Sequence, residues 1–183
     1  ALLYPANELM VAEAAYSSPE ILAQRIDALG KLSSGFRGII VTPYAGLRKL
    51  IPPKEIMAEA KLQLSVGQEY PIDRAVQRLS ELGYDRVERV ERRGEMSVRG
   101  GIVDVFPLTS SYAYRIEWFD DEIDSIRTFS VEDQRSIDKL KAATILPSRE
   151  IVADGKRFQN AAQHVSERLE EQLAKMSDRL AKE

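Results

Sequence analysis

Hydrophobic positions in the first third of the chain follow strand and helix spacings in turn. The run from Leu2 to Tyr4 is typical of the end of a buried strand. A capping serine, a first-turn proline and a glutamate at 18–20 begin a stretch with apolar residues at helical spacing, which stops at Gly35. The β-branched run at 38–42 lacks alternation and predicts a strand buried on both faces, as in parallel sheets. We therefore expect residues 1–60 to be part of an α/β lobe.

The pattern changes after the Pro52-Pro53 pair. The polar stretch that follows indicates a connector, and apolar residues then alternate with polar ones over 62–66, as in a half-buried strand. An amphipathic helical face runs over 72–82. From 87 to 145 the chain reads as strand after strand with short turns, which predicts an antiparallel meander packed against that single helix. Residues 61–147 are thus expected to form a small α+β domain.

The last segment, residues 148–183, predicts one long helix. Apolar residues recur there at three- and four-residue spacing from Ala162 to Leu180. Periodicity leaves two alternatives open: the helix folds back on the domain, or it begins another one. The opening residues lack an initiator Met and a secretory signal, which is typical of an excised fragment.

Composition excludes several classes of function. The 183 residues carry 26 Lys and Arg against 29 Asp and Glu, so the net charge is -3 and a basic nucleic-acid footprint over the whole chain is absent. With no cysteine there is no disulfide framework, thiolate nucleophile or Cys-ligated zinc. No apolar run approaches the ~20 residues that a membrane helix needs.

Motifs for catalysis and metal binding are also missing. The sequence contains no glycine-rich phosphate loop, and Gly94 and Gly100-Gly101 are expected to mark a bulge or a turn. The single histidine, His164, is expected on the surface of the last helix. The acidic stretch 120–124 lacks the pattern of a calcium loop, and Asp120-Asp121 predicts a tight turn between strands.

The segment 112–119 gives the first indication of a binding surface. Alternate side chains of a strand point to opposite faces, so one face collects tyrosine, isoleucine and tryptophan and should be the core. The other face carries Arg115, Glu117 and Phe119. The core does not require an aromatic side chain on this outer, wet face.

The preceding strand is expected to extend this surface. With a turn near Thr109, Arg99 falls opposite Phe119, and Val103 and Val105 add apolar area to the same face. Arginines around an exposed aromatic residue are typical anchors of protein interfaces. Chemistry alone leaves two alternatives open, a binding patch or a cross-strand cation–π pair.

Three segments carry a resemblance to a known family. They are Gly83–Val87, Gly94–Pro107 and Arg115–Arg127, and together they resemble the UvrB-homology region of bacterial transcription-repair coupling factors. The nucleotide-excision repair protein UvrB shares these signatures. Two features favour the coupling factors over UvrB. The segment 128–136 resembles a threonine-phenylalanine to glutamine-arginine-serine pattern of the coupling factors, and residues 7–18 lack the aromatic-rich insertion of UvrB.

The resemblance implies a partner and a site. In this family the small domain mimics the surface of UvrB that binds UvrA, and so recruits UvrA during transcription-coupled nucleotide-excision repair in the bacterial cytoplasm. The family's UvrA-binding residues match Arg99, Arg115, Glu117 and Phe119 here. RNA polymerase and DNA would be contacted through other domains of such proteins, and no membrane is involved.

The resemblance also implies that this chain is not an enzyme. Its opening lobe resembles the P-loop-like first domain of UvrB in truncated form and lacks the ATPase motifs, and residues 148–183 are expected to begin the return of the chain to that lobe. No cofactor or metal is therefore expected in this chain, whereas ATP and Mg²⁺ would bind the motor domains of the parent protein. Two other classes stay open: a UvrB-type fragment that contributes to damaged-DNA binding, and a piece of an ATPase lobe.

Overall fold

The structure is a computed structural model that describes residues 1–6, 18–48, 50–150 and 155–180. The segment 7–17, where the sequence lacks the aromatic insertion, lies outside these ranges. The chain forms two compact units, Ala1–Val152 and Ala153–Glu183, which we describe separately. The expected divisions after residues 60 and 147 stay predictions.

The larger unit contains both strands and helices. Its first elements, in chain order, are β1 (Leu2–Leu3), α1 (Pro19–Ser33), β2 (Ile40–Val41), α2 (Tyr44–Leu47), α3 (Lys54–Glu59), β3 (Leu62–Ser65) and α4 (Ile72–Glu81). Its later elements are β4 (Asp85–Arg86), β5 (Glu95–Arg99), β6 (Ile102–Val105), β7 (Ala113–Phe119), β8 (Glu122–Phe129), β9 (Ser136–Leu140) and β10 (Ala142–Ile145). The fold is therefore a mixed α+β arrangement with small, mainly antiparallel sheets, as predicted.

The pair β1 and β2 is parallel, but the predicted double-sided burial of β2 is wrong. Leu2 aligns with Ile40 and Leu3 with Val41. The side chains of Ile40 and Val41 are 41% and 54% exposed. In the described part of the chain this sheet consists of β1 and β2, so β2 has a neighbour on one edge only.

The connector expected after Pro53 contains a helix, α3. Its Met57 is 3% exposed and packs with Tyr4, Ala28 and Leu29. The apolar spacing of α3 covers only about one and a half turns, which is too short a periodic stretch to predict a helix. A single buried methionine thus anchors the helix to α1 and the N-terminal strand.

The main core lies between α4 and a sheet in the order β4-β5-β6-β7-β8-β9. All adjacent strands are antiparallel except β4 and β5. Strand β10 leaves this order and pairs with β3. Ala75, Leu79 and Leu82 of the α4 segment are at most 1% exposed and pack against the sheet. The predicted antiparallel meander on one helix is confirmed for β5 to β9, but the prediction was wrong to include β10 in it.

A second apolar cluster covers part of the opposite face of the sheet. It consists of Val90, Phe106, Ala113 and Phe129, all at most 9% exposed. The segment that leads from β4 to β5 crosses the sheet here, and the Ser97 hydroxyl donates to the Glu88 carbonyl at 2.7 Å. This cluster covers one end of the outer face, whereas the end that carries Phe119 is open to solvent.

The smaller unit is the helix α5 (Gly155–Leu180). Its apolar stripe includes Val165, Leu169, Leu173 and Met176, which are 56–68% exposed. The predicted long helix is confirmed. Whether it folds back on the domain or begins another one stays a prediction. No helix in the described ranges is long and apolar enough to cross a membrane.

Candidate protein-docking face

The open end of the outer face carries the four residues predicted as a site, Arg99, Arg115, Glu117 and Phe119, which we call the candidate face. Arg115, Glu117 and Phe119 lie on β7 and Arg99 on β5, with β6 between them. Register places Asp104 of β6 directly beside Arg115. The strands thus bring all four residues to one side of the sheet.

Phe119 is 80% exposed, whereas its neighbour Trp118 is 9% exposed. The Trp118 indole N–H donates to the Tyr70 carbonyl at 2.8 Å, which holds that ring in the core. The turn after β7 begins at Asp120, whose φ of 56° lies in the left-handed region that aspartate tolerates. The turn at Asp120-Asp121 is confirmed, and it leaves Phe119 projecting beside it.

The hairpin tip between β5 and β6 lies against the end of β7. A Cβ on Gly101 would come within 2.9 Å of the Trp118 carbonyl oxygen, so any larger residue would force a shift. The Gly101 carbonyl accepts the Trp118 N–H at 2.8 Å. This close approach requires glycine, and the predicted turn at Gly100-Gly101 is confirmed.

A buried carboxylate joins the two arginines of the candidate face. The Asp104 side chain is 3% exposed and accepts hydrogen bonds from Arg115 Nε at 2.7 Å and Nη2 at 2.8 Å. It also accepts one from Arg99 Nη2 at 2.8 Å. The two hydrogen bonds to Asp104 fix the guanidinium plane of Arg115. Arg99 donates one hydrogen bond to Asp104, and its side chain is half exposed.

Two further contacts hold Arg115. Its Nη2 donates to Gln134 Oε1 at 2.9 Å, and its Cζ lies 4.4 Å from the centre of the Phe129 ring. Hydrogen bonds to the Asp104 carboxylate raise the pKa of Arg115 above its ordinary value. Its Nη1 donates to none of the described residues, and the side chain stays 15% exposed. Arg115 is thus a fixed cation with one end towards solvent.

Glu117 is held by the next strand. Its carboxylate accepts hydrogen bonds from the Ser125 hydroxyl at 2.6 Å and from Arg127 Nη2. Ser125 lies directly opposite Glu117 in the β7–β8 register. The carboxylate is therefore oriented within the sheet surface rather than extended into solvent.

One family comparison matches this part of the chain. The sequence profile described as the UvrB interaction domain matches residues 62–151, which include the whole candidate face. Residues 62–151 of this chain therefore belong to the UvrB interaction domain family. The family predicted from the resemblance is confirmed.

Curated proteins extend the match beyond the UvrB interaction domain. The chain is 41% identical over 175 residues to the transcription-repair-coupling factor of Bacillus subtilis, which covers 96% of this chain and 15% of that protein. It is 38% identical over 149 residues to the protein of the same name from Staphylococcus aureus strain MRSA252, covering 81% of this chain and 13% of that protein. The chain thus spans less than a sixth of the length of these relatives.

The predicted arrangement of the strands in this region is wrong in two respects. Arg99 pairs with Ile102, and β6 separates it from β7, so it does not lie opposite Phe119. Val103 and Val105 are completely buried on the core side. The turn at Gly100-Gly101 adds a strand, and the valines fall on the face opposite to Arg99.

Sequence reasoning missed three residues that support the candidate face: Asp104, Gln134 and Arg127. Asp104 is the polar residue between two valines of β6, and this alternation is a signal that could have placed it opposite the core. Gln134 and Arg127 have no comparable signal, because their contacts depend on loop conformation and register.

Other residues considered from the sequence do not gather into a site. His164 is 82% exposed and lies 3.6 Å from Glu167 on the same helix. Among the described residues, no group of three or more His, Cys, Asp or Glu is placed to hold a metal ion.

Proposed function

We propose that this chain is a protein-binding module that binds UvrA through Arg99, Arg115, Glu117 and Phe119. Through this contact it recruits UvrA to nucleotide-excision repair coupled to transcription. The family match and the name shared by the two curated relatives support the repair context. The site residues come from the family resemblance and from the geometry of the candidate face.

The observation that carries the proposal is Phe119, 80% exposed on the same face of the sheet as two arginines that share one buried carboxylate. An aromatic ring exposed to water contributes a favourable free energy of binding when another surface covers it. Charged groups fixed in advance lose little entropy on binding and set the orientation of the partner. Phe119 then supplies the apolar anchor, and the arginines pair with acidic groups of UvrA.

Isothermal titration calorimetry with purified UvrA tests this proposal. We expect saturable binding by the wild-type chain and no detectable binding by the double variant Arg115→Ala with Phe119→Ala. Truncating one such anchor typically weakens binding by ~2 kcal/mol, which is about 30-fold. The variant Gln77→Ala with Arg74→Ala serves as a control, because it removes the same number of side chains from α4, on the other side of the sheet. Circular dichroism must show that every variant is folded.

A folded wild-type chain that fails to bind UvrA would contradict the proposal. Titration with duplex DNA at two salt concentrations then tests the competing class, since phosphate contacts weaken steeply with salt. We also propose that the chain hydrolyses no nucleotide and binds no cofactor, so ATP with Mg²⁺ should leave its melting temperature unchanged.

The remaining assignments concern the longer proteins to which this chain is similar. We propose that ATP hydrolysis, DNA translocation and contact with RNA polymerase belong to other parts of such a protein. The β1–β2 pair with α1 supports a truncated, P-loop-like α/β lobe in front of the domain. We expect the whole protein in the bacterial cytoplasm, where its proposed partners work.

A further inference from the structure

A row of positive charges starts at Arg115 of the candidate face and crosses the outer face to β9. Arg115 of β7 lies directly opposite Arg127 of β8, and Arg127 lies directly opposite Lys139 of β9. Like charges on directly opposed residues destabilise a sheet. The opposition of these three cations does not itself stabilise the sheet, and it lies on a chain whose net charge is -3.

The number of hydrogen bonds that these positive groups donate to carboxylates decreases from Arg115 through Arg127 to Lys139. Asp104 binds Arg115 through two nitrogens, and Glu117 binds Arg127 through Nη2 alone. The Nε of Arg127 is buried and has no hydrogen-bond partner within the described residues. Lys139 forms no ion pair there and its side chain is exposed. The positive groups with the fewest carboxylate partners among the described residues thus lie at the β8–β9 end.

That end opens into a groove of about 440 Å³. Arg127, Lys139 and Lys141 line it together with Glu117 and Asp124. Glu117 also belongs to the candidate face, so the groove and that face form one continuous surface. An anionic group in this groove would lie beside the exposed lysines.

We infer that the docking surface continues into this groove, and that Lys139, Lys141 and Arg127 receive acidic side chains of the protein partner. This inference rests on the proposed function and extends its contact surface from β5–β7 to β9. The role of the lysines is to steer and orient the acidic partner, since exposed charges at an interface rim mainly raise the association rate.

Carboxylates of a protein fit this groove better than a nucleic-acid backbone does. Duplex DNA carries one negative charge per ~1.7 Å of axis and needs a run of cations along its length. Here Glu117 and Asp124 interrupt the positive groups and would repel a continuous phosphate chain. Separate carboxylates can instead approach the two lysines individually.

The test compares two variants of equal charge in binding to purified UvrA. The first is Lys139→Gln with Lys141→Gln, and the matched control is Lys31→Gln with Lys54→Gln, at exposed positions of α1 and α3. Each removes two positive charges and takes the net charge from -3 to -5. Association and dissociation rates are measured at 50 mM and 500 mM salt, with circular dichroism to confirm folding.

We expect the Lys139/Lys141 variant to bind about 5-fold more weakly than wild type at 50 mM salt, mainly through slower association. The difference should fall below about twofold at 500 mM salt, because salt screens exposed charges. The control should stay within about twofold of wild type at both salt concentrations.

Three outcomes would overturn the inference. Equal affinities of the two variants, with binding still lost in Phe119→Ala, would remove the groove and leave the proposed function intact. Failure of the wild-type chain to bind UvrA would remove both. Binding of duplex DNA that is lost in the Lys139/Lys141 variant would assign the groove to nucleic acid instead.

Discussion

Arg25 and Arg115 share two kinds of partner, an aromatic ring and a carboxylate, but differ in exposure to solvent. Each stacks on an aromatic ring, Arg25 at 4.2 Å from the Tyr4 ring centre and Arg115 at 4.4 Å from that of Phe129. Each also binds a largely buried carboxylate. The Arg25 side chain is 1% exposed, whereas that of Arg115 is 15% exposed.

The difference lies in where the remaining donors point. Arg25 binds Glu150 through Nε and Nη2, the Pro5 carbonyl through Nη1 at 2.6 Å, and the Tyr4 hydroxyl through Nη2 at 2.5 Å. All its nitrogens therefore have partners inside the protein. Arg115 keeps Nη1 free of the described residues. One arrangement joins chain segments, and the other presents a fixed cation to a partner.

Arg25 with its partners Tyr4, Pro5 and Glu150 forms what we call the Arg25 centre. The largest effect on stability is expected from disrupting it. Glu150→Ala should lower the free energy of unfolding by about 3–5 kcal/mol, because it leaves a buried guanidinium without its carboxylate. Urea unfolding followed by circular dichroism measures this. Folded Glu150→Ala protein should bind UvrA as wild type does, because Glu150 lies outside the candidate face.

A double variant sharpens the same test. Arg25→Met with Glu150→Leu removes both charges and keeps apolar volume, so it should lose less stability than Glu150→Ala alone. A loss below about 1 kcal/mol in Glu150→Ala would contradict the idea that this pair joins the segments.

Asp104→Asn should affect stability and binding together. It removes the charge that Arg99 and Arg115 share, and hydrogen bonds to charged groups contribute about 2 kcal/mol. We expect UvrA affinity to fall about 10-fold, since the guanidinium of Arg115 loses its fixed orientation. Asp73→Asn, at an exposed position on α4, is the control. If Asp104→Asn lowers stability but leaves affinity unchanged, the carboxylate has no role in positioning the arginines.

Alkaline pH should weaken the Arg25 centre and leave Phe129 unaffected, since phenylalanine does not ionise. Burial raises the pKa of Tyr4 above its ordinary value of 10.0, despite the opposing charge of Arg25. Burial also raises the pKa of Tyr84, whose hydroxyl donates to the Leu146 carbonyl at 2.7 Å. Groups with a raised pKa stabilise the fold fully below pH 10, and that stabilisation is lost as the pH rises further.

The free energy of unfolding should thus fall above pH 10, by at most about 1.4 kcal/mol per pH unit for each tyrosine. Urea titrations at several pH values measure the slope. Tyr84→Phe should reduce the slope most and Tyr4→Phe less, because the pKa of Tyr84 is raised more strongly. A slope that is unchanged in both variants would contradict this assignment.

The smallest effect is expected at Gln134. Its φ of 62° is unfavourable for a non-glycine residue, yet its amide oxygen accepts a hydrogen bond from Arg115. Gln134→Ala should weaken UvrA binding about threefold and change the free energy of unfolding by less than about 1 kcal/mol. Gln77→Ala on α4 is the matched control. Affinity equal to that of Gln77→Ala would mean that Asp104 alone orients Arg115.

Sequence periodicity predicted the face of β7 because alternation there is strict. Phe119 was expected on the outer face and Trp118 in the core, and the structure agrees. Register was harder, because a two-glycine turn inserts one more strand between Arg99 and Arg115. A local pattern fixes which face a side chain occupies, but not how many strands lie between two side chains.

The Arg25 centre had no local signal at all. Arg25 follows Gln24 on α1 and looks like one more polar position of a surface helix. Its carboxylate partner lies 125 residues further along the chain. Only the packing of distant segments makes this position buried, so neither periodicity nor composition could identify it.

The contacts of Arg25 also determine where the two ends of the larger unit lie. One guanidinium binds the carbonyl of residue 5 and the carboxylate of residue 150, so these two residues meet within the reach of a single side chain. A unit whose ends meet can be inserted into a surface loop of another protein without being stretched. Insertion of this part of the chain into such a loop would therefore present the candidate face on another protein.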